Sequence, residues 1–246
     1  MATPIRRGTI PIVALLILAA CGSEPVPTPS GSRAISFESE DGLRLAGRLF
    51  GEGNEGIVLA HMFPADQTSW FAFADRLASR GYRVLTFDFR GYCPGGEGGC
   101  SEGDKLTYDD WRDVLGAIEA IRDEGAVRVG LIGASMGGTA SLLAASHPEV
   151  DVDVVITLSA PVSFQGLDVT PEVLSQVSAA KLFLAGHEDA SAAESAQLLY
   201  DESIQPKKVQ ILTTGDHGTD ILTGNQAGIA STEMLNWLER YLPTGA

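Results

Sequence analysis

Basic side chains are in short supply in this chain. It carries 17 Lys and Arg against 32 Asp and Glu, a formal net charge of −15 over 246 residues. That balance disfavours nucleic acid as a partner, because phosphate binding rests on clustered positive charge. It equally disfavours direct electrostatic adhesion to anionic lipid. Cysteine is scarcer still, with three residues: Cys21, Cys93 and Cys100. No second Cys or His pair stands at ligand spacing, which argues against a zinc site. Only four histidines are present, His61, His147, His187 and His217, so any chemistry needing an imidazole base has four candidates. A long apolar run is also missing. The stretch from Ile10 to Ala20, broken by Pro11, falls short of the roughly 20 residues a membrane-spanning helix needs. No internal repeat is evident.

What is present begins with Gly133-Ala134-Ser135-Met136-Gly137-Gly138. An apolar strand-like run precedes it and a helix-like run follows. A serine at a sharp strand-to-helix turn is lifted clear of the sheet edge. The positions two before and two after it come close together, which requires small residues such as Gly133 and Gly137. The amide of Met136, at the helix N-terminus, then points where an oxyanion would form. The same glycine-rich run also suits an ordinary α/β turn, so Ser135 is a nucleophile only in company.

That company is a base and an orienting acid. His217 stands on a loop after the strand-like Lys208 to Leu212, in Thr213-Thr214-Gly215-Asp216-His217-Gly218. His147 ends a helix before Pro148 and reads as a helix-terminal residue. The acid belongs between Ser135 and His217 in the chain. Asp189 follows the apolar run Lys181 to Gly186 and is the choice. Asp168 is the reserve, Glu188 is a neighbour open to misassignment, and Asp216 is too close to His217 along the chain to orient it.

Strand-like and helix-like segments alternate from Gly56 onward, which predicts an α/β domain with a mostly parallel sheet and helices on both faces. Strands are expected near 35–39, 44–50, 56–60, 83–88, 127–132, 153–158, 181–185 and 208–212. Helices are expected near 68–80, 107–123, 137–146, 171–178, 192–202 and 226–241. Asp41-Gly42 marks a hairpin, so the sheet starts antiparallel. Trp70, Phe71 and Phe73 either belong to the core or line an apolar pocket.

Several segments together resemble the α/β-hydrolase superfamily, over about residues 34–241. Ile57-Val58-Leu59-Ala60-His61 resembles the strand and turn carrying the first oxyanion donor. Val84-Leu85-Thr86-Phe87-Asp88-Phe89-Arg90-Gly91-Tyr92 resembles the next strand with its Asp-x-Arg-Gly continuation. Gly186-His187-Glu188-Asp189 resembles the acid turn, and Asp216-His217-Gly218 the histidine loop. The resemblance implies the α/β-hydrolase fold with an eight-stranded, mostly parallel sheet. It makes Ser135, His217 and Asp189 the triad, and the backbone amides of Phe63 and Met136 the oxyanion donors. Members usually carry glycine after the turn histidine, where this chain has Met62. His61 itself is expected to brace the loop. Only about 20 residues separate the strand near Ser159 from the one at Lys181, so there is no room for a large cap domain. Partial cover is expected from the loop at Cys93–Cys100 and from Phe164. The expected activity is serine hydrolysis of carboxylic esters or related small acyl compounds, with lactones and peptides as variants and no metal or cofactor required. The alternative is a non-catalytic binding or envelope protein that keeps the fold.

The N-terminus carries Arg6 and Arg7, a short apolar stretch and small residues, the pattern of a secretory signal. Leu18-Ala19-Ala20-Cys21 resembles the bacterial lipobox. That implies cleavage before Cys21, lipid on its thiol and residence in the cell envelope. Three parts are expected: a signal peptide over 1–20, a Gly/Ser/Pro tether over 21–33, and the hydrolase domain over 34–246. An exported chain meets oxidising conditions. Cys93 and Cys100, with four glycines and a proline between them, are then expected to form a disulfide. Two free thiols are the other reading.

Overall fold

The structure is a computed structural model that describes residues 29–93 and 99–245. Cys21 and the segment 1–20 lie outside them. The sheet opens with an antiparallel pair, β1 (Ser32–Glu38) and β2 (Arg44–Phe50). Gly42, at φ +85°, turns the chain between them. Ser39 secures that turn, its Oγ accepting from the Leu43 amide at 2.9 Å and donating to Asp41 Oδ1 at 2.6 Å. β1 starts inside the stretch assigned to the tether.

The remaining main strands are β3 (Glu55–Ala60), β4 (Arg83–Phe87), β5 (Arg128–Ala134), β6 (Val154–Leu158), β9 (Ala180–Gly186) and β10 (Lys207–Leu212). A two-residue hairpin, β7 (Ser163–Phe164) with β8 (Leu167–Asp168), stands apart after β6. The eight-stranded order is β1-β2-β4-β3-β5-β6-β9-β10. β2 runs antiparallel to β4, and the strands from β4 to β10 are parallel. The carboxyl ends of the parallel strands therefore share one edge, and the loops that leave it can converge.

Helices α1 (Phe71–Ala78) and α6 (Ala227–Tyr241) cover one face, where Trp70, Phe73, Leu77, Met234 and Leu238 pack on Ile57, Leu59 and Ile132. Trp70 and Phe73 are thus core residues, and Phe71 leans on Phe50 with ring centroids 5.7 Å apart. The other face carries α2 (Asp110–Asp123), α3 (Met136–Ala145), α4 (Pro171–Gln176) and α5 (Ala190–Glu202). α3 is buried nearly all round, which accounts for its run of small and apolar residues. No large cap is evident: the chain between β6 and β9 holds only the small hairpin and α4.

Two helices begin later than their apolar pattern predicts. Residues 67–70 form a 3₁₀ turn, capped where Asp66 Oδ1 accepts the Thr68 amide at 2.8 Å. α2 starts at Asp110, not near 107, because Tyr108 sits at φ +54°, outside the helical region.

Loop ends near the carboxyl edge are tied by buried ions. Arg90 donates to Asp113 Oδ1 at 2.7 Å and to Asp41 at 2.9 and 3.1 Å, joining the loop after β4 to α2 and to the β1–β2 turn. Asp88 accepts the Gln67 amide at 2.9 Å and its Nε2 at 2.6 Å. Asp88 and Asp113 keep these partners at the cost of desolvation, which pushes both carboxyls up to about 6.

Asp110 has no such compensation. It is 1% exposed, and among the described residues neither of its carboxylate oxygens has a hydrogen-bond partner. Burial, aided by the Asp113 charge, pushes its carboxyl up to about 7. A carboxyl whose folded value lies above its unfolded one supports the fold at low pH and loses that support as pH rises through the folded value. Asp110→Asn removes the charge and keeps the shape. It should raise Tm at pH 8 by roughly 4–8 °C, equivalent to ~2 kcal/mol, with the gain shrinking as pH falls and vanishing only near the ordinary carboxylate value, about pH 4. Differential scanning fluorimetry across that range checks it, and a difference that does not widen with pH contradicts the assignment.

Candidate active site

Ser135 is the residue between β5 and α3, and its backbone takes φ +47° and ψ −119°. An L-residue enters that region only where the surroundings force it. The forcing is visible. A Cβ on Gly133 would lie 2.3 Å from the Gly137 carbonyl oxygen, and a Cβ on Gly137 would lie 2.4 Å from the Ala60 oxygen and 2.5 Å from the His61 oxygen. The strand end, the helix start and the loop after β3 approach closer than side chains allow. The Ser135 amide donates to the Leu158 carbonyl of β6 at 2.8 Å, which fixes the turn to the neighbouring strand. Met136 opens α3, so its N–H lacks an intrahelical acceptor.

Asp189 precedes α5 at its N-cap position, but its side chain does not cap the helix. It accepts a hydrogen bond from His217, with Nδ1 and Oδ2 2.6 Å apart. An ionised carboxylate only accepts, so Nδ1 carries a hydrogen in this pair, and the neutral ring in that tautomer has its lone pair on Nε2. The imidazole is 43% exposed and the carboxylate 15%. Backbone bonds bring their loops together. His187 donates to the Leu212 carbonyl at 2.7 Å and Glu188 to the Thr214 carbonyl at 3.1 Å. Gly186 approaches so closely that a Cβ there would lie 2.4 Å from Thr214 O.

The other acids fall elsewhere. Asp216 accepts from Thr214 Oγ1 at 2.7 Å and closes its own loop. Asp168 pairs with Ser163 across the small hairpin, and Glu188 is exposed. His147 stacks on Trp111, with ring centroids 6.2 Å apart.

His61 is fully buried. The Phe89 amide donates to its Nε2 at 3.1 Å, so the ring proton is on Nδ1 and donates to the Met62 carbonyl at 3.0 Å. Burial holds this imidazole down to about 4, neutral at ordinary pH. It therefore braces the loop that carries Phe63. Tyr92 meets the same ring edge-on, with centroids 4.6 Å apart, and the Cys93–Cys100 disulfide follows directly.

Met62 needs no glycine geometry, since it is not among the described residues with positive φ. Its side chain fills the space over Gly218, whose φ is +56°. A Cβ on Gly218 would lie 2.5 Å from Met62 Sδ and 3.4 Å from the Ala134 Cβ. The residue after His217 thus sits against the residue before Ser135, and the loop after β3 packs on both. Methionine takes over contact area that the loop needs, and the substitution for glycine is absorbed without strain at that position.

An aromatic rim completes the region. Phe63, 45% exposed, lies 6.4 Å from Phe164 on the small hairpin, and Tyr108 meets Phe164 edge-on at 6.0 Å. These rings come from three separate loops, so no spacing in the chain announces their meeting, although Phe164 is expected to give cover. A hollow of about 540 Å³ lies at the opposite edge of the sheet, around Arg33 and Arg83. Arg83 there is taken up by the carbonyls of Glu52, Gly53 and Glu124.

Comparison with known proteins bears on this arrangement. A family model described as "Alpha/beta hydrolase family" matches residues 57–230, well over half of the chain. An uncharacterized protein of Salmonella typhimurium, YfhR, is 25% identical over 128 residues, covering 49% of this chain and 43% of the relative. The chain thus spans less than half of that relative's length. Among solved structures, an esterase of Pyrococcus furiosus is similar with a TM-score of 0.71 at 17% identity, over 86% of this chain and 91% of the other. The esterase domain of a Rhodothermus marinus protein gives 0.66 at 22%, over 85% and 99%. A dienelactone hydrolase of Anabaena variabilis gives 0.69 at 18%, over 86% and 99%. At these identities the likeness establishes the fold.

Proposed function

We propose, for a chain that belongs to the alpha/beta hydrolase family, that it is a serine hydrolase of carboxylic esters or closely related acyl compounds. The observation that carries the reading is the pairing of Asp189 with His217 at the same sheet edge as the strained Ser135 turn. Nε2 of His217 takes the Ser135 hydroxyl proton as Oγ attacks the substrate carbonyl. The charge that develops on the carbonyl oxygen is met by the amides of Met136 and Phe63, and one such donor is typically worth about 3–4 kcal/mol. His217 returns the proton to the leaving alkoxide, and the acyl group stays on Ser135. Water then attacks the acyl-enzyme with His217 again as base, the acid leaves and the hydroxyl is restored. Asp189 holds the imidazole orientation and offsets its charge in both halves.

The aromatic rim of Phe63, Tyr108 and Phe164 favours substrates with an apolar acyl or alcohol portion of modest size. Without a large cap, that rim is the main cover the described residues provide. Long-chain triglycerides fit such an open site poorly.

Export and lipid anchoring belong to the same proposal. They rest on Arg6-Arg7, the short apolar run and Leu18-Ala19-Ala20-Cys21. The Cys93–Cys100 disulfide agrees with an oxidising compartment.

Two experiments test the two halves. A fluorophosphonate probe should label wild-type protein on Ser135. Ser135→Ala should lose the label and about three or more orders of magnitude of ester turnover while remaining folded; labelling that persists in this variant refutes the nucleophile. Cys21→Ser should abolish fatty-acid labelling and move the protein out of the membrane fraction, because an acyl chain contributes about 0.8 kcal/mol per buried CH₂. A protein found in the cytoplasm with residues 1–20 attached refutes the anchor.

A further inference from the structure

A second strained residue lies beside the first. Ser159 follows β6 directly, is 1% exposed, and takes φ +54°. Glycine would hold that conformation without a steric penalty. The chain instead keeps a side chain there and buries it. Its Oγ accepts the backbone N–H of Gly218 at 3.1 Å.

The partner is informative. Gly218 follows His217, so this N–H belongs to the peptide plane that leaves the histidine. The other polar end of the same plane, the His217 carbonyl, accepts the Asp220 amide at 3.1 Å. Both ends of the plane are therefore bonded, and the Cα of His217 cannot rotate without breaking one of them. Ser159 is itself anchored: its amide donates to Leu184 of β9 at 2.8 Å, and the preceding carbonyl, of Leu158, accepts the Ser135 amide at 2.8 Å. The Leu158–Ser159 step thus links the Ser135 turn, the strand that leads to Asp189 and the loop that carries His217.

We propose that Ser159 is a positioning residue, whose hydroxyl sets the backbone of His217 so that Nε2 faces Ser135. The inference rests on the triad reading above and adds to it. Asp189 fixes the far side of the imidazole. Ser159 fixes where the imidazole starts. A catalytic base displaced by about 1 Å can cost a hundredfold in rate, so a hydroxyl that touches neither substrate nor imidazole can still govern turnover.

The left-handed backbone gives a test that separates positioning from stability. Ser159→Gly removes the hydroxyl and is at ease at φ +54°. Ser159→Ala removes the same hydroxyl and keeps the strain. Both should lower kcat on a short-chain p-nitrophenyl ester by about tenfold to a hundredfold, with KM within about threefold of wild type. The rate of fluorophosphonate labelling at Ser135 should fall by a similar factor, since it uses the same base. Circular dichroism and Tm establish that each variant is folded. Should the alanine variant fail to fold, the glycine variant carries the test alone. Wild-type kcat in Ser159→Gly overturns the proposal, whatever alanine does, because it shows that only the backbone conformation matters there. Raised KM with unchanged kcat overturns it too. If wild-type enzyme is active but labelled elsewhere than Ser135, the triad reading fails and this inference falls with it. If Ser135 is labelled and Ser159→Gly is fully active, only the inference falls.

Discussion

Backbone contact between the end of β5 and the start of α3 is the constraint on which the site depends. Gly133 and Gly137 come within distances that no Cβ tolerates, and the chain between them must turn through Ser135 in a conformation L-residues avoid. The strain is held by packing on every side: β6 through the Ser135 amide, the loop after β3 through the Ala60 and His61 carbonyls, and α3 through its burial. The result is a hydroxyl fixed at the sheet edge beside the first free amide of a helix. Free energy stored in one turn is offset by the core of a whole domain.

The rest of the site is built by stitching loops to that turn. His61 joins the loop after β3 to the loop after β4, its Nε2 accepting the Phe89 amide while Nδ1 donates to Met62 of its own loop, and can do so because burial keeps it neutral. Arg90 joins the loop after β4 to α2 and to the first hairpin. The amides of His187 and Glu188 join the acid turn to the strand and loop that lead to His217. Apart from the local His61–Met62 bond, these bonds cross between segments far apart in sequence, and they gather at the carboxyl edge of the parallel strands. Parallel topology makes this possible, since it delivers β3, β4, β5, β6, β9 and β10 to one edge.

Much of this was legible in the chain, for physical reasons. The strands read well because a parallel sheet covered on both faces needs short, nearly continuous apolar runs, such as Leu182 to Ala185. The pairing of Asp189 with His217 was legible from chain order and from their places after strands. Helix starts read less well. Tyr108 has no composition signal for a left-handed backbone, so α2 begins later than its apolar period suggests. Trp70 and Phe73 were open between core and pocket, because an aromatic at helical spacing carries the same pattern in either role; burial decides for the core. Met62 broke a resemblance, and its side chain packs over Gly218. Ser159 was invisible, as its significance is one hydrogen bond to a residue 59 positions away.

The central claim is that Ser135, His217, Asp189 and two backbone amides form one acyl-transfer site. A crystal structure of the protein after reaction with a small alkyl phosphonate tests it most directly, because the tetrahedral phosphorus stands in for the tetrahedral intermediate. The account predicts a bond from Ser135 Oγ to phosphorus. It places the phosphoryl oxygen about 2.7–3.1 Å from the amides of both Met136 and Phe63, with His217 Nε2 beside Oγ and Asp189 still on Nδ1. An adduct on another residue, or a phosphoryl oxygen turned to solvent away from both amides, would contradict it.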